Sequence, residues 1–185
     1  MTRVVGGAAK GRRLAVPPRG TRPTSDRARE ALFNSLAGLL DIDGARVLDL
    51  FAGTGAVGLE ALSRGAVAAC FVESDRAACE ILGHNVDSVG LAGAEIHRRP
   101  AAAYLVGAGA NEPFDLVFAD PPYAFGEQQL GALLTTLAAP RWLADSAVVV
   151  VERSARGPEP QWPDTVEAIK HKRYGEGVLW YGRRR

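Results

Sequence analysis

The strongest constraint on the fold is a regular alternation of apolar and amphipathic segments that starts at Arg46. Apolar runs predict strands at 47–51, 67–72, 94–97, 114–119 and 147–151, and helical spacing predicts helices that end at Leu62 and that cover 76–89 and 127–137. Strands that are apolar throughout belong in a sheet that is covered on both faces. The pattern therefore predicts an α/β fold, and residues 166–172 and 178–181 predict a final hairpin.

The N-terminal segment differs from this core in composition. Residues 1–43 carry eight Lys or Arg and four Asp or Glu, and residues 1–24 are rich in glycine and proline. Helical spacing of apolar residues follows Ser25, which predicts a helix after the arm. We therefore divide the chain into a basic N-terminal arm and helix at 1–43 and one α/β domain at 44–185.

The charges are segregated along the chain, with basic ends around an acidic centre, which favours a polyanionic partner held by the termini. The alternative is a pair of solvated tails. The candidate contacts in the arm are Arg3, Lys10, Arg12, Arg13, Arg19 and Arg22. Because the arm lacks apolar periodicity, we expect it to be mobile and to order on its partner. The competing interpretation is that the arm completes a ligand pocket.

Several classes of protein are disfavoured by the sequence. No apolar run approaches the length of about 20 residues that a membrane helix needs, and no secretory signal is evident, so we expect no membrane association. Cys70 and Cys79 lie in apolar segments without metal-ligand spacing, which indicates reduced thiols and a cytoplasmic protein. The three histidines are scattered, so we predict no metal site.

A glycine-rich motif follows the first core strand. Residues 53–58 (GTGAVG) match G-x-G-x-x-G in the required context, after a predicted strand and before a predicted helix. Glycines let the backbone turn sharply and approach a ligand closely. Glu73 follows Gly53 by 20 residues, at the end of the next strand, where a carboxylate can accept bonds from both ribose hydroxyls. The motif predicts an adenosine-containing cofactor, and the alternative is a tight turn without a ligand.

A second motif, residues 120–123 (DPPY), follows the strand at 114–119. An exocyclic amine is a poor nucleophile because its lone pair is delocalised into the ring of the base. The Asp120 carboxylate and the Pro121 carbonyl can accept its two hydrogens and favour the pyramidal form, while Tyr123 can stack on the base. The motif predicts methyl transfer to an amino group, and the alternative is a surface turn.

Three segments carry a resemblance to a known family: 48–55 (LDLFAGTG), 120–123 (DPPY) and 22–34 (RPTSDRAREALFN). The first two resemble class I AdoMet-dependent methyltransferases that act on amino groups. Together with the third, nearly the whole chain resembles the bacterial 16S rRNA guanine-N2 methyltransferases. The resemblance implies a Rossmann-like, seven-stranded, mostly parallel sheet with an antiparallel last strand, helices on both faces, and the basic arm as an extension.

The resemblance also implies roles for individual residues. Asp49, Gly53 and Gly55 would surround the methionine half of S-adenosyl-L-methionine (AdoMet), and Glu73 would take the ribose. Thr24 would close over the cofactor, while Asp120, Pro121 and Tyr123 would handle the amine. Many methyltransferases have Asp or Asn after the third strand to read adenine, but this chain has RPA at 99–101. A backbone group in this stretch, with Ala101 as the candidate, is left for that contact.

The implied activity is methylation of the N2 amine of a guanine in 16S rRNA. The partner would be 16S rRNA within the small ribosomal subunit or an assembly intermediate, and we expect a monomer. The alternatives are a DNA base amino-methyltransferase, a protein-glutamine methyltransferase and a catalytically inactive RNA-binding assembly factor. The chain lacks an insertion for reading a DNA groove, has Asp120 where the glutamine enzymes have Asn, and keeps Gly53 and Glu73.

Overall fold

The structure is a computed structural model that describes residues 2–17, 25–107 and 112–185. Its strands are β1 Thr2–Arg3, β2 Arg13–Leu14, β3 Arg46–Leu50, β4 Ala68–Glu73, β5 Ala94–Arg98, β6 Phe114–Ala119, β7 Leu143–Ser154, β8 Val166–Tyr174 and β9 Gly177–Arg184. Its helices are α1 Asp26–Leu36, α2 Ala56–Ser63, α3 Arg76–Val89, α4 Ala101–Val106 and α5 Glu127–Leu137.

Seven strands form the central sheet, in the order β5-β4-β3-β6-β7-β9-β8. The neighbours from β5 to β7 are all parallel. The last strand, β9, lies between β7 and β8 and is antiparallel to both. The predicted fold class, a mostly parallel sheet with an antiparallel last strand, is confirmed.

Hydrophobic clusters cover both faces of the sheet, because alternate residues of each strand point to opposite sides. Val47 of β3 belongs to the cluster that contains α1, α2 and α3 residues, whereas Leu48 belongs to the cluster with α4 and α5 residues. β6 and β7 alternate in the same way, with Phe118 and Val150 on the first side and Val117 and Val149 on the second. The prediction of helices on both faces is confirmed.

The N-terminal residues 2–17 are packed against the first of these clusters. β1 and β2 form a short antiparallel pair, and Val4, Ala9 and Leu14 are buried. The expectation of a mobile, unpacked arm is therefore wrong for these residues. It missed the packing because only three apolar side chains, at irregular spacing, are buried there.

Two further differences concern the core. α4 was not predicted, since six residues are too few to show helical periodicity. β7 is longer than the apolar run at 147–151 because its ends pair with β6 and β9 through less apolar residues. In the part of the chain that the structure describes, no helix has the length and apolarity needed to cross a bilayer.

Candidate active site

Both sequence motifs lie at one edge of the sheet. In the register, Leu50 at the end of β3 pairs with Val72 of β4 on one side and with Ala119 of β6 on the other. The residues that follow these strands therefore emerge side by side at the carboxyl edge. That edge is where open α/β sheets bind ligands. The structure thus brings together the glycine-rich turn, Glu73 and Asp120.

The glycine-rich turn needs glycine for steric reasons. Gly53 and Gly55 have φ of 55° and 77°, a region that other residues rarely occupy. A Cβ at Gly55 would lie 2.2 Å from Leu82 Cδ1, and one at Gly58 would lie 2.3 Å from Phe71 Cε1. A Cβ at Gly53 would meet no heavy atom within 4 Å. Gly55 and Gly58 thus serve close packing of the turn and α2, while the space beside Gly53 is open.

Glu73 organises this turn through its carboxylate. Its Oε2 accepts a hydrogen bond from the backbone N–H of Gly53 at 2.8 Å, and its Oε1 accepts from Ser74 and Asp75 at 2.8 Å each. A carboxylate has about four acceptor positions, so these three bonds leave capacity at Oε2. The predicted ribose role is compatible with this geometry and stays a prediction.

Asp49 is buried beneath the same turn. Its Oδ2 accepts from the backbone N–H of Gly58 at 3.0 Å. Burial, together with the charges of Asp120 and Glu73, raises the pKa of Asp49 to about 8, against the lowering effect of the Gly58 bond. A positively charged ligand group at this position would favour the ionised carboxylate by direct attraction.

The second motif presents an acid and an aromatic ring in contrasting environments. Burial raises the pKa of Asp120 to about 6, against the opposing positive charge of Arg153. Pro121 is buried, whereas Tyr123 is 87% exposed. An exposed aromatic side chain beside a largely buried carboxylate is suited to receiving a planar base from solvent.

Arg153 of β7 fastens the loop that contains this motif. Its guanidinium donates a hydrogen bond to the carbonyl oxygen of Phe125 at 2.9 Å and forms an ion pair with Glu127. The ring of Phe125 packs edge-on against Phe51, with centroids 5.2 Å apart. Phe51, with φ of 61°, lies two residues before the glycine-rich motif at 53–58. The two motif loops are therefore in direct contact, and Arg153 supports one of them from the sheet.

Comparison with known proteins identifies the family. The family described as "Conserved hypothetical protein 95" matches residues 2–183. "Ribosomal RNA small subunit methyltransferase D" of Escherichia coli (strain K12) is 39% identical over 94% of this chain and 85% of the relative. The chain belongs to the small subunit methyltransferase D family.

One further relative and one solved structure match almost the whole length of this chain. "Putative rRNA methyltransferase YlbH" of Bacillus subtilis is 37% identical over 98% of this chain and 99% of the relative. The solved structure of "Putative methyltransferase yhhF from Escherichia coli" superposes with a TM-score of 0.87 at 36% identity, covering 98% and 97% of the two chains. The predicted enzyme class, a methyltransferase, is confirmed, and AdoMet as the cofactor agrees with this membership.

Of the remaining predicted site residues, some lie within the described part of the chain and others lie outside it. Ala101 is buried at the start of α4, three residues after β5 ends beside Glu73. Its backbone is near the cofactor edge, and its role in adenine recognition stays a prediction. Thr24, Arg19 and Arg22 lie outside the described residues.

The predicted polyanion contacts of the arm that the structure describes, Arg3, Lys10, Arg12 and Arg13, are exposed. Arg12 donates a bond to the carbonyl oxygen of Ser88 at 2.7 Å, near the end of α3. α3 starts at the carboxyl edge of the sheet and runs for 14 residues, or about 20 Å, away from it. Arg12 therefore lies far from Asp120, and its contact with nucleic acid stays a prediction.

Sequence analysis missed Asn85, which joins the arm to the cofactor turn. Its side chain, fully buried in α3, accepts from Ala15 N at 2.7 Å and donates to Ala15 O at 3.0 Å and Thr54 O at 2.9 Å. This contact agrees with the competing interpretation, in which the arm helps to complete a ligand pocket. Within the described ranges, no group of three or more His, Cys, Asp or Glu side chains could hold a metal ion.

Loss of Arg153 provides a test of the electrostatics of Asp120. We predict that Asp120 accepts a hydrogen of the target amine as a carboxylate, so we expect activity to rise with pH through its pKa, which is about 6. Arg153→Met removes the positive charge that lowers the pKa of Asp120, so we expect this pKa to rise further. The acidic limb of the pH–rate profile, where activity rises with pH, should then move to higher pH. Single-turnover methylation rates from pH 5 to 9 would measure the shift.

The matched control is Glu127→Gln, which removes the ion-pair partner but leaves the charge of Arg153 near Asp120. We expect this variant to keep the wild-type position of the acidic limb. An unshifted limb in Arg153→Met would contradict the assignment of Asp120 as the titrating group.

Proposed function

We propose that the chain transfers a methyl group from AdoMet to the N2 amine of a guanine in 16S rRNA. The observation that carries the proposal is the convergence of Glu73, the glycine-rich turn and the Asp120–Tyr123 loop at one edge of the sheet. Membership of the small subunit methyltransferase D family supports the substrate class. The choice of guanine N2 rests on the resemblance of segments 22–34 and 120–123.

The residues at this edge fit AdoMet in chemical terms. Gly53 leaves open space beside a carboxylate with an unused acceptor position, which suits a ribose. Asp49 supplies a second carboxylate beneath the turn, which suits the positive charges of the methionine half. Bound there, AdoMet would supply an electrophilic methyl group.

The chain's own residues would activate and orient the amine. The Asp120 carboxylate and the Pro121 carbonyl accept its two hydrogens, which localises the lone pair on nitrogen. Tyr123 stacks on the base and holds its amine in line with the methyl group of AdoMet. Holding the reactants in this geometry lowers the barrier to reaction. As the new N–C bond forms, the nitrogen releases one proton toward Asp120, whose pKa of about 6 allows it to accept and return a proton near neutral pH.

Glu73→Ala tests the cofactor part of the proposal. The variant loses the ribose contacts and also the bond that shapes the turn at Gly53. We expect AdoMet affinity to fall about tenfold to a hundredfold, because hydrogen bonds to a charged group contribute ~1.5–3 kcal/mol. Isothermal titration calorimetry with AdoMet and with NAD would check this. Tight binding of NAD without binding of AdoMet would contradict the proposal.

The substrate is tested by mass spectrometry of rRNA nucleosides from cells with and without the gene. We expect loss of one N2-methylguanosine from 16S rRNA in the deletion strain and its return on complementation. Loss of a methylated base from DNA instead, with unchanged rRNA, would favour the DNA amino-methyltransferase. Unchanged nucleosides in both would favour the inactive assembly factor.

The finer features of this proposal concern the setting of the reaction. We infer a monomer that acts in the cytoplasm on 16S rRNA in the small subunit or an assembly intermediate. The same purified enzyme, offered free 16S rRNA and reconstituted subunits in parallel, would distinguish these substrates by the rate of methyl incorporation.

A further inference from the structure

We propose that the β8–β9 hairpin is an RNA-contacting surface that binds nucleotides flanking the target base. We call it the hairpin surface and define it by His171, Lys172, Arg173 and Trp180. The inference rests on the proposed function, since it names a part of the protein that holds the RNA substrate. None of these residues belongs to the sites described above, and sequence analysis did not select them.

The register of the sheet places the hairpin surface beside the Asp120 loop. Ala119 of β6 pairs with Val151 of β7, Val151 pairs with Trp180 of β9, and Trp180 pairs with His171 of β8. These residues form one row across four strands, and Asp120 follows Ala119 directly. Adjacent strands are about 4.8 Å apart, so His171 lies roughly 14 Å across the sheet from Ala119. That distance corresponds to a short run of nucleotides on either side of a base held at Asp120.

The side chains in this region have the chemistry of single-strand RNA contacts. The His171 ring packs on the Trp180 ring, with centroids 4.8 Å apart and an angle of 39° between the planes. Trp180 is half-buried and His171 is exposed, so this aromatic pair reaches the surface. Arg173 is exposed on the same face of β8 as this pair, and Lys172, one residue away, is exposed on the opposite face of the edge strand. Aromatic faces that stack bases, next to cations that contact phosphates, are the usual components of single-strand binding.

Charged residues on an edge strand also protect a sheet from pairing with another sheet, which is the simplest alternative explanation. Lys170, on the same strand, illustrates a purely structural use: it donates to the carbonyl oxygen of Ser35 at 3.1 Å and lies over the Tyr181 ring. Arg173 donates a long hydrogen bond from Nε to Gly175 O in the adjacent turn, at 3.4 Å. Lys172 lies over the ring of Tyr174 at 5.4 Å. Both cations remain at the surface, where phosphates can reach them.

The location also distinguishes the hairpin surface from the described part of the arm. Arg12 is bonded at the far end of α3, away from the carboxyl edge. Arg173 is in register with Val178, which pairs with Arg153, the residue that fastens the Asp120 loop. The hairpin surface is therefore closer than Arg12 to the loop that would hold the target base.

The test compares two double variants that remove the same charge, Lys172→Gln/Arg173→Gln on the hairpin and Lys10→Gln/Arg13→Gln on the arm. Binding of a small-subunit rRNA fragment is measured without methyl transfer, across a salt series, together with AdoMet affinity. We expect the hairpin variant to bind RNA more weakly and to flatten the log–log salt slope by about 0.7 for each lost phosphate contact. We expect its AdoMet affinity to be unchanged.

A salt slope equal to that of the wild type would overturn the inference. So would an equal loss in the arm variant, because that result would reflect net charge alone. If the wild-type protein did not prefer rRNA over a DNA duplex, the proposed function itself would fail, which separates the two outcomes. As a second measurement, photo-crosslinking of thiouridine-labelled rRNA to the wild-type protein should yield a peptide that spans 170–181, and crosslinks confined to other peptides would also overturn the inference.

Discussion

Asp120→Ala is expected to abolish most methyl transfer while leaving AdoMet binding nearly intact. The Asp120 carboxylate is the group that the mechanism assigns to the amine, and removal of a positioned acid or base typically costs about 10²–10⁴ in rate. The cofactor contacts assigned to Glu73 and Gly53 do not involve Asp120. Single-turnover methylation of rRNA measures the first effect, and calorimetry with AdoMet measures the second.

The control for this variant is Asp120→Asn. Its amide oxygen still accepts one hydrogen bond from the amine, so we expect a milder loss than with alanine. It cannot take up a proton, so the limb of the pH–rate profile near pH 6 should disappear in the asparagine variant. If Asp120→Ala kept near wild-type turnover, the chemical role of this carboxylate would be wrong even though the family assignment would stand.

Much of the core could be predicted from the sequence because its boundaries have local causes. The bounds of α3 were predicted correctly, since Asp75 accepts from Ala78 N at 2.8 Å as an N-cap and Gly90, with φ of 66°, ends the helix. The positions of Glu73 and Asp120 were predictable for a related reason. In a parallel sheet the ends of neighbouring strands fall at one edge, so residues after them meet whatever the intervening sequence.

The contacts of the N-terminal residues could not be predicted in this way, because their partners are distant in sequence. Val5 and Gly6 bond to Glu60, and Ala15 bonds to Asn85. One signal was available: Glu60 is the sole charged residue in α2, whose other residues are apolar or small. A helix that is apolar all round is buried, so its one carboxylate must be paired inside the protein. The identity of the partners still required the structure.

Glu60→Ala is accordingly expected to destabilise the fold strongly. The Glu60 side chain is fully buried and accepts from Val5 N at 2.7 Å and Gly6 N at 2.8 Å. It also pairs with Arg64 at 2.8 Å and with the fully buried Arg29 at 3.6 Å. Removing one partner of a buried ion pair leaves an uncompensated charge, which costs about 3–5 kcal/mol. Urea denaturation followed by circular dichroism would give the change in the free energy of unfolding.

Glu80→Ala is the matched control, because Glu80 forms the same kind of pair, one helical turn from Arg76, with side chains that are 66% and 80% exposed. Exposed pairs contribute about 0–1 kcal/mol, so the control should unfold almost as the wild type does. If Glu60→Ala lowered the free energy of unfolding as little as the control does, the bonds of Glu60 would not be what holds residues 2–17 on the core. Because Asn85 links these residues to Thr54 in the cofactor turn, we also expect Glu60→Ala to weaken AdoMet binding under conditions in which the protein remains folded.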